Sequence, residues 1–159
     1  MTSPLSILER FTLTDHVAII TGAGRGIGAA TAVAFAQVGA DVVISSRTAD
    51  QLEAVAEQVR EAGRRALVVP ADLSDLEAVS GLAGAAHEEF GRIDAVVNNV
   101  GGTIPNAFLD TDVDYLEEAF RFNVSTAHAL SRAAVPFMLD DRREAQKSIV
   151  TISSMMGRA

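Results

Sequence analysis

The stretch Thr21-Gly22-Ala23-Gly24-Arg25-Gly26-Ile27-Gly28 decides the fold, because its four glycines join an apolar run to a helical one. The preceding run, Val17-Ala18-Ile19-Ile20, has the length and composition of a buried strand. Residues 29–38 then place apolar side chains at helical spacing and end at Gly39. A glycine-rich turn between a strand and a helix is typical of loops where a dinucleotide pyrophosphate approaches backbone N–H groups. The alternative is that the glycines only make a tight turn.

Beyond this turn the chain keeps alternating short apolar runs with amphipathic stretches, which is typical of β-α-β units. Further strands are predicted at 42–44, 66–69, 95–97 and 148–152, and further helices at 49–62, from Ser74 or Asp75 to Phe90, and from about Asp112 to Leu139, with Pro136 near its end. Right-handed crossovers then predict an α/β fold, a Rossmann-type doubly wound parallel sheet with strand order 3-2-1-4-5. Strand five is expected to form an open edge.

Composition excludes several classes of function. The 159 residues are 48% hydrophobic and 21% charged, which is enough to bury a core. A formal net charge of −8 argues against nucleic-acid binding. Residues 1–10 lack a secretory signal pattern and no apolar run is long enough for a membrane span, so we predict no membrane association. The absence of cysteine excludes disulfides and favours a cytoplasmic protein, and the three histidines lack metal-ligand spacing, so no metal site is predicted.

Two further motifs accompany the glycine loop. Asn98-Asn99-Val100-Gly101 follows strand four, and Ile152-Ser153-Ser154 closes strand five. With the Thr-Gly-x-x-x-Gly-x-Gly spacing, these motifs resemble those of the short-chain dehydrogenase/reductase family from Phe11 onward, although the family usually has alanine at position 100. The loop 101–106 resembles that of hydroxysteroid-dehydrogenase-like and 3-oxoacyl-reductase-like members. The resemblance implies an NAD(P)-dependent oxidoreductase that acts on a small-molecule secondary alcohol or ketone.

The end of strand two indicates which coenzyme binds. In this fold an acidic residue there bonds the ribose hydroxyls and repels a 2′-phosphate. In this chain Ser46 stands at the position of the acid and Arg47 follows it. A hydroxyl and a guanidinium suit a phosphate dianion, and Arg25 offers a second cation. We therefore predict NADP(H) rather than NAD(H), the alternative being that Arg47 is only a solvated surface residue.

The family resemblance assigns further coenzyme contacts. Asp72 follows strand three, where the family binds the adenine amino group, and Leu73 supplies a backbone contact. Asp72 is also placed to cap the next helix, and the two roles are compatible, but the family resemblance favours adenine binding. The predicted coenzyme-binding residues are Thr21, Gly22, Gly24, Arg25, Gly26, Ile27, Gly28, Ser46, Arg47, Asp72, Leu73, Asn99, Val100 and Gly101.

Carbonyl reduction by hydride transfer needs an acid that protonates the oxygen. The family uses a tyrosine whose pKa is lowered by a lysine four residues later, a serine that bonds the substrate oxygen, and an asparagine that holds a water. By their positions, Ser154 matches the serine and Asn123 the asparagine. The tyrosine and lysine have no counterpart, because Tyr115 and Lys147, the one tyrosine and the one lysine, lie at unrelated positions.

The chain ends five residues past Ser154, before the family's tyrosine and lysine. Three explanations stay open: a fragment of a longer enzyme, which we favour, a truncated product that binds without catalysis, or a chain that pairs with a second one. We therefore expect residues 1–159 to be one dinucleotide-binding domain truncated after strand five, with an inactive nucleotide-binding module as the alternative function. The family, together with the apolar residues Phe108, Leu116, Phe120 and Phe137, predicts a homotetramer or dimer for the complete protein.

Overall fold

The computed structural model describes residues 9–141 and 146–154, which form a five-stranded parallel sheet with helices on both faces. The strands are β1 (Val17–Thr21), β2 (Asp41–Ser46), β3 (Ala66–Pro70), β4 (Ala95–Asn98) and β5 (Ser148–Thr151). The helices are α1 (Gly26–Gln37), α2 (Ala49–Glu61), α3 (Leu76–Phe90), α4 (Val113–Phe120) and α5 (Thr126–Asp140), with short 3-10 turns at Glu9–Phe11 and Phe108–Asp110. The strand order β3-β2-β1-β4-β5 confirms the predicted topology.

The central strand β1 divides the core into two layers, because successive side chains of a strand point to opposite faces. Ile19 packs with residues of α3 and α5, whereas Ile20 packs with residues of α1 and α2. Every residue of β1 is buried, as a parallel strand covered on both faces requires. All strand pairs are parallel, so the carboxyl ends of the five strands lie along one edge of the sheet.

The long helix predicted from Asp112 to Leu139 is present but interrupted. α4 and α5 are joined by a π-helical turn, Arg121–Ser125, in which the Thr126 amide donates to the Arg121 carbonyl. The apolar periodicity of the sequence does not reveal this turn, because one π-helical turn changes the spacing of apolar residues only slightly. Turns of this kind are frequently found at functional sites. α5 continues through Pro136 to Asp140.

Three sequence expectations need adjustment. α1 begins at Gly26, so the last residues of the glycine loop already belong to the helix. β5 ends at Thr151, one residue before the predicted end, although it forms the expected exposed edge of the sheet. Phe137, predicted to contribute to an association surface, is half-buried against the core and stacks on His87, with ring centroids 4.5 Å apart.

Within 9–141 and 146–154, no helix has the length and apolar character needed to cross a membrane. The same ranges contain no group of three or more histidine or acidic side chains placed to hold a metal ion.

Candidate functional site

The glycine loop places a helix N-terminus at the carboxyl edge of the sheet. Gly22 and Gly26 adopt φ angles of 65° and 57°, which residues other than glycine rarely adopt. Arg25 occupies the N-cap position without capping the helix, and the first turn of α1 contains no acidic residue. The first amide groups of α1 therefore stay open, with the helix dipole directed at them. This arrangement suits an anion such as a pyrophosphate.

Asn99 fastens this loop to the end of β4. Its Nδ2 donates to the carbonyls of Thr21 and Gly22, at 3.0 and 3.2 Å. In return the buried Thr21 hydroxyl accepts the amides of Asn99 and Val100, at 3.0 and 3.1 Å. The Asn99 side-chain amide is thus hydrogen-bonded to the loop. A ligand at this edge would contact the glycine loop, whose conformation Asn99 stabilises.

Gly28 allows α1 to approach the turn. A Cβ on Gly28 would stand 2.4 Å from the Gly22 carbonyl oxygen and 2.7 Å from the Asn99 Nδ2. The backbone of the turn would have to shift to accept that atom. Gly28 is buried, so its requirement for glycine comes from packing between helix and turn rather than from direct access by a ligand.

The end of β2 lies beside the same loop. The Ser46 hydroxyl is buried and makes no hydrogen bond with any other described residue, and a Cβ on Gly24 would come within 2.7 Å of it. Arg47, the next residue, is exposed and makes no hydrogen bond or ion pair with any residue in the described ranges. Arg25 is also exposed. The glycine loop and the end of β2 therefore expose two guanidinium groups and contain no carboxylate.

Asp72 follows β3 at the same edge. Its Oδ1 accepts the Ser74 amide at 3.0 Å and the Ser74 hydroxyl at 2.8 Å. These bonds hold the pKa of the Asp72 carboxyl below its usual value against an opposing effect of desolvation, with a further contribution from the charge of Arg47. Asp75 caps α3 instead, by accepting the Glu77 amide at 2.9 Å. The helix-cap alternative for Asp72 is therefore wrong, and its carboxylate stays exposed beside the buried Leu73.

Asn123 lies in the π-helical turn and holds the loop that follows β4. Its Oδ1 accepts the Gly102 amide at 2.9 Å, and its Nδ2 donates to the Ala119 carbonyl at 2.8 Å and to the Thr103 hydroxyl at 3.1 Å. A Cβ on Gly101 would stand 2.8 Å from the Asn123 Oδ1. The turn thus brings Asn123 against the end of the strand-four motif, which the sequence spacing alone does not predict.

The remaining candidates for proton transfer divide between the two edges of the sheet. Ile152, the first residue after β5, donates its amide to the Asn98 carbonyl at 2.9 Å. Ser154 follows two residues later and therefore lies at the carboxyl edge. The Tyr115 hydroxyl donates to the Ile104 carbonyl. Lys147 precedes β5 and therefore lies at the opposite edge, where its Nζ bonds the Asp94 carboxylate at 2.7 Å. Lys147 and Ser154 therefore lie at opposite edges of the sheet.

A parallel 3-2-1-4-5 sheet with a glycine loop on its central strand and an open helix N-terminus defines the class of nucleotide-binding α/β proteins. Within that class, the chain belongs to the short chain dehydrogenase family, whose model matches residues 16–159. The match includes every predicted site residue, because the first of them is Thr21 and the last is Ser154.

Individual relatives agree with this assignment. An uncharacterised oxidoreductase of Mycobacterium tuberculosis is 59% identical over 152 residues, which are 96% of this chain and 57% of that protein. A 7α-hydroxysteroid dehydrogenase solved with NADH and 7-oxo glycochenodeoxycholic acid is 34% identical, with a TM-score of 0.86 over 93% of this chain and 56% of its own. A short-chain dehydrogenase of Burkholderia cenocepacia solved with NADP is 32% identical, with a TM-score of 0.82 over 92% of this chain and 58% of its own. The chain thus spans little more than half the length of these relatives.

Proposed function

We propose that this chain is the coenzyme-binding part of an oxidoreductase that transfers hydride between NADP(H) and a small secondary alcohol or ketone. The observation that carries the proposal is the open N-terminus of α1 above the glycine loop, with the exposed Arg25 and Arg47 beside it. Family membership supports a nicotinamide coenzyme, since the family binds NAD(P), and its solved members include complexes with each of the two coenzymes.

The choice of NADP(H) rests on charge at the end of β2. Ser46 replaces the acid that would repel a 2′-phosphate. Its hydroxyl is buried beside Gly24. Arg47 is exposed and has no ion-pair partner in the part of the chain that the structure describes, so its guanidinium is available for a phosphate. Asp72 and the backbone of Leu73 are proposed to contact the adenine, with the Asp72 Oδ2 as the acceptor because Ser74 occupies Oδ1.

When bound, the coenzyme supplies the hydride that the carbonyl carbon accepts, and a proton must reach the carbonyl oxygen. Ser154 is proposed to donate a hydrogen bond to that oxygen. Asn123 is proposed to keep the loop after β4 in position and to hold a water for proton transfer, consistent with its bonds to Gly102 and Thr103. The tyrosine and lysine of the family are proposed to come from sequence beyond residue 159. For the complete protein we propose a homodimer or homotetramer.

A second candidate is a nucleotide-binding module without catalysis. It is favoured by one observation: Tyr115 bonds the Ile104 carbonyl and Lys147 lies at the far edge of the sheet, so neither supplies a proton at Ser154. Residues 1–159 alone should therefore bind coenzyme without turnover. General-acid catalysis raises the reaction rate about 10²–10⁴-fold, and correct positioning of the nicotinamide raises the rate further. A screen of ketones with NADPH, followed by the absorbance of the reduced nicotinamide, tests this expectation. Turnover by residues 1–159 would show that another group acts as the acid.

The substitution Arg47→Ala tests the proposed coenzyme. It should weaken NADP⁺ binding by about 1.5–3 kcal/mol, the value of a hydrogen bond to a charged group, and leave NAD⁺ binding nearly unchanged. Arg60→Ala, which removes an exposed arginine paired with Glu53 on α2, is the matched control. Equal losses for both coenzymes, or equal effects of the two substitutions, would contradict a 2′-phosphate contact at Arg47.

A further inference from the structure

Gln51 is a polar side chain beside the glycine loop that no motif indicated. It belongs to the first turn of α2, four residues after Arg47. A Cβ on Gly24 would lie 3.1 Å from the Gln51 Oε1 and 3.3 Å from the Gln51 Cβ, so the Gln51 side chain runs alongside the loop. The start of α2 and the glycine loop therefore meet at this residue.

Two uncharged polar side chains face Gly24, and they differ in their access to solvent. The Ser46 hydroxyl is buried and makes no hydrogen bond within the part of the chain that the structure describes, whereas Gln51 is exposed. The Gln51 amide forms no hydrogen bond with any residue between 9 and 141 or between 146 and 154. It is thus the member of this pair that a ligand can reach. An amide offers both N–H donors and a carbonyl acceptor.

We infer that Gln51 is a specificity-determining residue for the ribose-phosphate end of the coenzyme, an inference that rests on the proposed function. Arg47, four residues earlier in the chain, supplies positive charge, and Gln51 adds a neutral donor beside Gly24. A carboxylate of the same shape at position 51 would repel a phosphate dianion while still accepting hydrogen bonds from ribose hydroxyls. The neutrality of residue 51 therefore favours NADP(H), in addition to the missing acid at Ser46.

The substitution Gln51→Glu isolates this charge, since it changes one amide to a carboxylate. Binding of NADP⁺ and NAD⁺ is measured by calorimetry at low ionic strength, where Coulomb effects are largest. We expect NADP⁺ to bind about tenfold more weakly and NAD⁺ to change less than about threefold. Gln51→Lys should shift the ratio of the two affinities in the opposite direction. Melting temperatures verify that each variant is folded.

Gln58→Glu is the matched control, because it makes the same change on an exposed residue of the same helix whose side chain donates to the Ala54 carbonyl. It should leave the NADP⁺/NAD⁺ ratio unchanged. Equal effects of Gln51→Glu and Gln58→Glu, or no effect of either, would overturn the inference about Gln51 while leaving the proposed function intact. If the unmodified chain binds neither coenzyme, the proposed function fails and the inference fails with it.

Discussion

The glycines of the loop have different neighbours and therefore different roles. Gly26 has open space where a side chain would stand, whereas a Cβ on Gly28 would meet the Gly22 backbone. Gly24 lies between these cases, because its nearest atoms belong to the Ser46 and Gln51 side chains. The motif therefore combines close packing at Gly22 and Gly28 with open space at Gly26, where glycine is favoured by the positive φ angle.

Gly28→Ala should destabilise the chain by about 1–3 kcal/mol, because the added methyl overpacks against backbone that cannot move independently. Gly84→Ala is the control, since Gly84 lies exposed in α3 and a Cβ added there would have no neighbouring atom within 4 Å. That substitution should stabilise the chain by about 0.5–1 kcal/mol, because alanine favours a helix more than glycine does. Urea unfolding measures both values, and a stabilising Gly28→Ala would contradict the packing role.

The strands and their order are predictable from sequence, and the connections are less so. Each buried strand is a short apolar run, so β1 and β2 are visible in the sequence without any knowledge of their neighbours. The π-helical turn at Arg121–Ser125 is not predictable, because apolar spacing does not distinguish one wider turn from a regular helix. Likewise, the roles of Asn99 and Gln51 depend on contacts with the glycine loop, far from them in sequence, and an individual polar residue carries no pattern that reveals such contacts.

Asp141 and Lys147 belong to a cluster of charged side chains that the sequence does not reveal. Residues 142–145, which lie between them along the chain, are outside the described ranges. The Lys147 Nζ bonds the buried carboxylates of Asp94 and Asp141 at 2.7 and 2.6 Å, and the Arg92 Nε lies 2.7 Å from Asp94. Burial would raise the pKa of Asp94, but hydrogen bonds from Arg92, Lys147 and the Val17 amide outweigh it and hold that pKa below its usual value. This cluster connects the start of β5 to the start of β4.

Lys147→Met should therefore destabilise the chain in a pH-dependent way. The folded-state pKa of Asp94 is lowered, so its contribution to stability is complete above the unfolded-state value of about 4 and is lost as the pH falls through the lower folded-state pKa. The loss in the variant should be about 1–3 kcal/mol at neutral pH and should shrink below about pH 4. Arg60→Met, which breaks the exposed pair with Glu53, should cost less than about 1 kcal/mol. A pH-independent loss at Lys147 would contradict an ionic role.

Several large apolar side chains are exposed on α4 and on the 3-10 turn before it. Phe108 is 90% exposed, and Leu116 and Phe120 are each 61% exposed, all on α4 or the 3-10 turn before it. Adjacent exposed apolar groups of this size are typical of protein interfaces. The strand β5 adds exposed Ile149 and Val150 at the sheet edge, where unpaired backbone groups favour association.

Phe120→Asp should accordingly reduce self-association, since it places a charge within this apolar surface. Light scattering coupled to size-exclusion chromatography at micromolar concentration measures the effect. Phe11→Asp makes the same change on a residue that is 71% exposed and lies in the N-terminal 3-10 turn. It should leave the mass of the oligomer measured by light scattering unchanged. Because the association is predicted for the complete protein, a complete protein that stays monomeric would contradict the predicted interface.

Parallel calorimetric titrations of the unmodified chain with NADP⁺ and NAD⁺, in the same buffer and salt, test the coenzyme assignment as a whole. The glycine loop, the uncapped N-terminus of α1 and the exposed guanidinium of Arg47 predict one saturable site per chain, with NADP⁺ bound about tenfold or more tightly than NAD⁺. Absence of saturable binding would contradict a nucleotide site at this loop. Equal affinities, or tighter binding of NAD⁺, would contradict the predicted preference for a 2′-phosphate.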